Sequence, residues 1–267
     1  MELKGKKVLL TGATGSIGKP LAQALARQGA TLIVTDHSAH GLNELAVELR
    51  RTGGTVLPIP ADLLIPQEVK QLADRVTSQT EGIDILINLA GMTSFNLFHQ
   101  ETETGIENLW RLNTLAPMQL TRLLLPHLLT QGSGLIVNIG SIYGSIGFPG
   151  FSAYSASKFA LRGFSEALRR ELDGTGVGVT YVAPRYVTPL IHTGAIHRMS
   201  KALKVPMDTP EQVAQKIIYA VTRNRHEYFI GFPESLIARI NGIHPALVDG
   251  YVRKQLSVIR DFALGKR

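Results

Sequence analysis

Lys6-Lys7-Val8-Leu9-Leu10-Thr11-Gly12-Ala13-Thr14-Gly15-Ser16-Ile17-Gly18 runs a short apolar stretch into three glycines, and Pro20-Leu21-Ala22-Gln23-Ala24-Leu25-Ala26 continues it. Residues 6–10 read as a strand. The apolar positions 21, 24 and 25 then carry helical spacing, with Gly29 closing the helix. Strand, glycine loop and helix form the opening of a dinucleotide-binding unit. Glycines let the backbone turn tightly and approach a pyrophosphate, and the helix N-terminus offers N–H groups to its negative charge. Gly12, Thr14, Gly15, Ser16, Ile17 and Gly18 are the candidate cradle. A tight turn alone would also explain the glycines; the strand before and the helix after argue for the cradle.

Working outward, 31–35 is a second apolar strand, and Asp36 stands at its end, eighteen residues beyond Gly18. A carboxylate there accepts hydrogen bonds from adenosine ribose hydroxyls and repels a 2′-phosphate, so NAD is expected and NADP stays open. The same aspartate would also serve to start the turn before a helix over 41–51. Further strands are expected over 56–60, 83–87, 135–139, 177–182 and 227–231, with helices over 67–79, 106–125 and from Tyr154 towards Gly174. Pro117 is expected to bend the second of these helices. Thr209-Pro210-Glu211-Gln212 opens a later one with a capping box. This alternation predicts an α/β chain, a single Rossmann-type domain with a doubly wound parallel sheet of about seven strands.

Tyr154 and Lys158 are four apart, which on a helix puts both on one face. A phenol titrates near ~10 in water, and a neighbouring ammonium favours the phenolate and so lowers that value. The pair can do general acid/base work, although on most helices such a pair is only a solvated face. Ser141 follows the strand over 135–139, so its hydroxyl is expected at the carboxyl edge of the sheet, where ligands bind.

The glycine spacing G-x-x-x-G-x-G together with Ser141 and Tyr154-x-x-x-Lys158 resembles the short-chain dehydrogenase/reductase family over roughly residues 3–190. The resemblance implies that Ser141 hydrogen-bonds a substrate oxygen and Tyr154 exchanges its proton. Lys158 would lower the tyrosine pKa and hold the ribose of a nicotinamide cofactor. It assigns to Asn113 a water that relays protons to the lysine, where a purely structural role at a kink is the alternative. Asp62 and Leu63 resemble the family's adenine contacts, with Asp62 also placed to cap the following helix. Asn88, Ala90 and Gly91 resemble the family's Asn-Asn-Ala-Gly, with Leu89 replacing the second asparagine. Pro184, Val187 and Thr188 resemble the segment that holds the nicotinamide carboxamide, yet Arg185 stands where glycine is expected, and the segment through Pro189 and Leu190 is one residue shorter.

At 267 residues and 44% hydrophobic content the chain can bury one sizeable core. No cysteine is present, so no disulfide or thiolate metal site is expected, and no metal at all. The apolar run at the start is too short for a signal peptide, and no stretch reaches the ~18 apolar residues of a membrane span, so a cytoplasmic location is expected. The formal charge of +7 is scattered. Arg50-Arg51 and Arg169-Arg170 sit at expected helix ends, where cations complement the helix dipole, so nucleic acid is not an expected partner.

The reading that follows is an alcohol/carbonyl oxidoreductase, with a dinucleotide-binding sensor or scaffold as the alternative. Residues 1–231 form the catalytic unit, including a substrate loop over 185–208, and 232–267 is a helical extension of the same domain. Val248, Tyr251, Val252, Leu256, Ile259, Phe262 and Ala263 share one face of that tail, and Asp249, Arg253, Lys254, Arg260 and Asp261 the other. The apolar face must dock on this domain, on a partner subunit, over a pocket or on a membrane; the mixed charges of the polar face speak against the membrane. Phe95, Phe148, Phe151 and Tyr186 point to a bulky or apolar alcohol or ketone. The apolar stripe of the Tyr154 helix exceeds what one core needs, so a homodimer or homotetramer is expected.

Overall fold

Parallel strands covered on both faces are near-continuous apolar runs, and the central ones of this chain are so, apart from buried residues such as Asn88 and Asn138. A computed structural model describes residues 1–188 and 194–266. Its strands are β1 (Lys7–Thr11), β2 (Thr31–Thr35), β3 (Thr55–Pro58), β4 (Ile85–Asn88), β5 (Gly134–Ile139), β6 (Val177–Ala183) and β7 (Glu227–Phe229). They form one seven-stranded sheet in the order β3-β2-β1-β4-β5-β6-β7, every pair parallel. This is the Rossmann-type doubly wound sheet. Its strand order reverses between β1 and β4, where Val8, Leu9 and Leu10 lie against Ile85, Leu86 and Ile87. A crevice opens at such a reversal beyond the carboxyl ends of the strands.

The helices are α1 (Gly18–Arg27), α2 (Ala39–Arg51), α3 (Pro66–Thr80), α4 (Glu103–Trp110), α5 (Ala116–Gln131), α6 (Ser152–Glu171), α7 (Ala195–Ala202), α8 (Pro210–Thr222), α9 (Glu234–Ile243) and α10 (Pro245–Ala263). Alternation along β1 divides the core. Val8 and Leu10 pack with α1, α2 and α8, whereas Leu9 packs with α3, α5 and α6. Helix α8 begins with the expected capping box of Thr209 and Gln212. Arg50-Arg51 and Arg169-Arg170 close α2 and α6.

Two expectations need correction. Asp62 does not cap α3: Ile65 holds the cap position without a side-chain bond, while the Asp62 carboxylate accepts from Leu64 N at 2.9 Å. Near Pro117 the helical run changes character: a π-helical segment, Arg111–Leu115, joins α4 to α5, and Pro117 sits in the first turn of α5. The substrate loop also contains α7, whose apolar residues at 196, 199 and 203 carry a helical period that the reading overlooked. Pro189, Leu190 and the rest of 189–193 lie outside the described residues.

The tail docks on the body of the chain. Val248 and Val252 of α10 pack with Ile237 and Ala238 of α9 and with Ile142 and Ile146 beyond β5. Ile259 and Phe262 pack with Phe151, Met199 and Phe95. No helix among the described residues is long and apolar enough to cross a membrane.

Candidate active site

The glycine loop bends over the end of β4. Gly12 has φ +67°, and a Cβ there would come within 2.8 Å of Ala90 Cα; at Gly18 it would come within 2.0 Å of the Gly12 carbonyl oxygen. Only glycine permits this approach. Helix α1 then starts on Ile17 with no side-chain cap and no acidic residue in its first turn. Its N-terminal N–H groups therefore remain suited to an external anion.

Thr14 and Asp36, which the sequence placed in one site, meet across the loop. Asp36 Oδ2 accepts from Thr14 N at 3.1 Å and from Thr14 Oγ1 at 2.7 Å, and Oδ1 accepts from His37 N at 2.8 Å. The carboxylate is 9% exposed and held at the carboxyl edge of β2. Arg185, at the end of β6, is four strand spacings from β2, roughly 19 Å, so it has no part in reading the adenosine end.

Beyond β5, Ser141 is fixed by Tyr181 of β6. Ser141 N donates to the Tyr181 hydroxyl at 3.4 Å, and that hydroxyl donates to Ser141 O at 3.3 Å. Tyr181 was not foreseen as a site residue; a buried tyrosine within an otherwise apolar strand was the available signal. Ser141 Oγ accepts from Tyr143 N at 3.2 Å, and its hydroxyl lies where it favours the ionised Tyr154 phenol. Helix α6 carries Tyr154 and Lys158 on one face, with Lys158 Nζ 5.9 Å from the Tyr154 ring centre. Lys158 Nζ donates to Ile139 O at 3.1 Å, and among the described residues it pairs with no carboxylate.

Burial governs the electrostatics here. It raises the Tyr154 pKa above the ordinary phenol value, opposed by the Ser141 hydroxyl. It lowers Lys158 from 10.5 to about 8. The expected lowering of the tyrosine by the lysine is thus not what the protein alone displays: desolvation outweighs the attraction of an ammonium that is itself destabilised. A hydroxyl acceptor brought to Lys158 would favour its charged form. Gly91 leaves room beside it, since a Cβ at Gly91 would lie 3.3 Å from Lys158 Nζ and 3.0 Å from Asn113 Oδ1. A bare α1 terminus, an aspartate at the β2 edge and this cleared ammonium fit a dinucleotide.

Asn113 lies in the π segment, fully buried. Its Oδ1 accepts from Met92 N at 2.9 Å, and its Nδ2 donates to Met92 O at 2.9 Å and to Ser157 Oγ at 3.0 Å. Ser157 Oγ in turn donates to Tyr154 O at 2.7 Å. The side chain therefore clamps the β4 exit to α6. Pro117 has no N–H, so the Asn113 main-chain carbonyl lacks the donor an α-helix would supply from that position.

Other expected contacts fall differently. The Asn88 side chain turns into the core, donating to Asn138 Oδ1 at 2.8 Å, and Asn138 donates to Ser165 Oγ at 2.9 Å. Leu63 is a core residue. Ala90 N and Leu89 N both donate to Thr11 Oγ1 at 3.0 Å, and Leu89 lines the crevice in the place of the second asparagine. Thr188 N donates to Asp208 O at 2.8 Å.

These groups sit at one end of a cavity of about 600 Å³. Ile17, Gly91, Ser141, Tyr154, Lys158, Pro184 and Val187 reach its wall. The rest is largely apolar, from Phe148, Phe151 and Tyr186, from Ile237 and Val252 of the tail, which thus helps to enclose it, and from Met199, which was not foreseen. Tyr143 stacks on Phe148 with ring centres 5.0 Å apart and meets Tyr154 edge-on at 6.4 Å. Phe95 does not line the cavity; it packs 4.9 Å behind Phe151.

Arg185 also lines the cavity. It forms a two-pronged pair with Asp208, at 2.9 and 3.3 Å, and a further pair with Glu234 at 3.1 Å. Burial alone would raise the Asp208 pKa, but hydrogen bonds from Arg185 and Lys216 hold it below the ordinary carboxylate range. The arginine thus ties the β6 exit to the start of α8 and to α9. Arg185→Met is expected to cost about 3 kcal/mol in urea unfolding by leaving Asp208 under-compensated. A change within about 0.5 kcal/mol would show that the pairs contribute no net stability.

Fold and site define a Rossmann-type enzyme with a serine, a tyrosine and a lysine gathered where a dinucleotide would lie. The sequence model described as short chain dehydrogenase matches residues 6–198. "Ketoacyl reductase HetN" of Nostoc sp. is 36% identical over 259 residues, covering 94% of this chain and 89% of that protein. Among solved structures, a short-chain dehydrogenase/reductase from Burkholderia phymatum in complex with NAD superposes with a TM-score of 0.83 at 21% identity, covering 92% of this chain and 96% of that one. A metagenomic short-chain oxidoreductase in complex with NADP gives 0.72 at 25% identity, covering 86% and 96%. The chain belongs to the short-chain dehydrogenase family and is an oxidoreductase of that family.

Proposed function

We propose that the chain interconverts a bulky or apolar alcohol and its ketone, using NAD in preference to NADP. The observation that carries this reading is the placement of Ser141, Tyr154 and Lys158 at the end of a largely apolar cavity. The dinucleotide, when bound, accepts or supplies the hydride. The protein's part is alignment and proton handling. Ser141 Oγ, which favours the ionised phenol, orients the substrate oxygen, and Tyr154 Oη exchanges a proton with it. Lys158 Nζ holds ribose hydroxyls and, once charged there, favours the phenolate. The Asn113 carbonyl, deprived of its helical donor by Pro117, is the group suited to hold a relay water. The α1 terminus and the loop from Gly12 to Gly18 receive the pyrophosphate, while Pro184, Val187 and Thr188 border the nicotinamide end. Asp62 and Leu63 flank the adenine.

The apolar walls support the substrate reading. Cofactor absorbance followed with a series of ketones and alcohols of increasing apolar size tests it, and equal catalytic efficiency across the series would overturn it. Asp36 supports NAD, because its negative charge stands where a 2′-phosphate would come. In Asp36→Ala the ratio of NAD to NADP efficiency should fall about tenfold, the equivalent of ~1.4 kcal/mol. An unchanged ratio would remove Asp36 from cofactor choice. Exposed Trp110, Leu115, Met118 and Phe159, on α4, the π segment, α5 and α6, support a homo-oligomer built on these helices. Sedimentation velocity would read its mass.

A further inference from the structure

A second group of large apolar residues at the surface lies at the corner between α9 and α10. Phe232 and Ile243 are 74% exposed, Leu247 67% and Leu236 48%. Residues 242–247 are exposed without a break. Leu236 and Ile243 are seven apart on α9 and share one face, and Arg239 lies between them on that same face. From Ser235 to Val248 the chain has no acidic residue. Asp249 follows at once, and Arg253 and Lys254 lie beyond it on α10, all three exposed. Glu234, which pairs with Arg185, and Asp249 bound this stretch, and the exposed cations Arg239, Arg253 and Lys254 outnumber the one exposed acid, Asp249.

The corner also adjoins the cavity. Tyr251 lines the cavity and is still 54% exposed, so the cavity reaches the surface one helical turn from Leu247. The apolar residues on α4 to α6 form a separate group that an oligomer of the proposed kind would cover, leaving this corner outside it.

We infer that the α9–α10 corner docks on a lipid bilayer. Ile243 and Leu247 enter the interfacial layer, Arg239, Arg253 and Lys254 meet anionic headgroups, and the mouth beside Tyr251 faces the lipid. No described helix is long and apolar enough to span a membrane, so the contact is with the surface. That an apolar substrate enters by this route rests on the proposed function; the docking itself does not.

Flotation of the full chain with phosphatidylcholine vesicles, with and without phosphatidylglycerol, tests the docking without any turnover. The protein should float with both, more strongly with the anionic lipid. Ile243→Glu combined with Leu247→Glu should lower the bound fraction at least ~tenfold, since each buried apolar side chain is worth about 1.5–3 kcal/mol. Turnover of a small water-soluble ketone should stay unchanged. If that pair fails to fold, Ile243→Ser with Leu247→Ser replaces it, and the expected direction is the same. A wild-type protein that does not float would overturn the inference. So would a variant that floats equally well, or one whose subunit mass falls in sedimentation, which would make the corner a contact between copies.

Discussion

Tyr154→Phe is expected to lower turnover by ~10²–10⁴-fold, the range that a positioned proton donor contributes. The substitution keeps the ring, which packs edge-on against Tyr143 at 6.4 Å and against Phe151 at 6.3 Å. It removes only the phenol hydroxyl, whose ionised form Ser141 favours. Cofactor affinity, read by fluorescence titration, should therefore stay near that of the wild type. Because burial holds the phenol above its ordinary pKa, Tyr154 remains a proton donor through neutral pH. Ketone reduction should accordingly be level there, while alcohol oxidation, which needs the phenolate, should climb as pH rises. Residual turnover within tenfold of the wild type would show that another group moves the proton.

Lys158→Met is expected to act in opposite directions on activity and on stability. Loss of the ammonium removes a charged hydrogen-bond donor from the proposed ribose contact, which should weaken cofactor binding on the order of 10- to 100-fold and depress turnover with it. The protein without cofactor should nevertheless become more stable at pH 7. Lys158 is buried, bonded to one carbonyl, and lowered from 10.5 to about 8. Below pH 8 it is charged in both folded and unfolded states, and the folded state bears the whole desolvation cost, roughly 3 kcal/mol at most. Between about 8 and 10.5 the unfolded chain holds the proton and the folded one does not, so wild-type stability rises with pH through that window. Above about pH 10 the buried phenols Tyr143, Tyr154 and Tyr181, all with raised pKa, act the other way, because the unfolded chain then loses their protons first. Urea unfolding between pH 7 and 9.5 separates the two effects. The variant should lack the wild-type rise, and a variant less stable than wild type at pH 7 would mean that Lys158 is stabilised by more than its carbonyl contact.

The alternation of apolar runs with helical periods was enough to read seven strands, their parallel arrangement and the glycine loop, because each signal is local: a period of about two or 3.6 residues ended by a turn residue. The same holds for Tyr154 and Lys158, which one helix face brings together wherever the helix goes. Side-chain direction at strand ends and contacts between distant segments have no such signature. Asn88 and Asn138 are opposite one another across β4 and β5, and only that register turns Asn88 into the core. Tyr181 holds Ser141 from forty residues away, and Arg185 finds Asp208 and Glu234 on two other segments. Asn113 was legible as a polar residue near a proline, yet its clamp on Met92 and Ser157 depends on the π segment that lets it reach both. The tail showed its apolar face in the sequence, but burial is shared out only when helices pack. Packing sent Ile259 and Phe262 inward and left Ile243 and Leu247 at a corner in solvent, because two helices joined at Pro245 cannot both bury the residues at their junction.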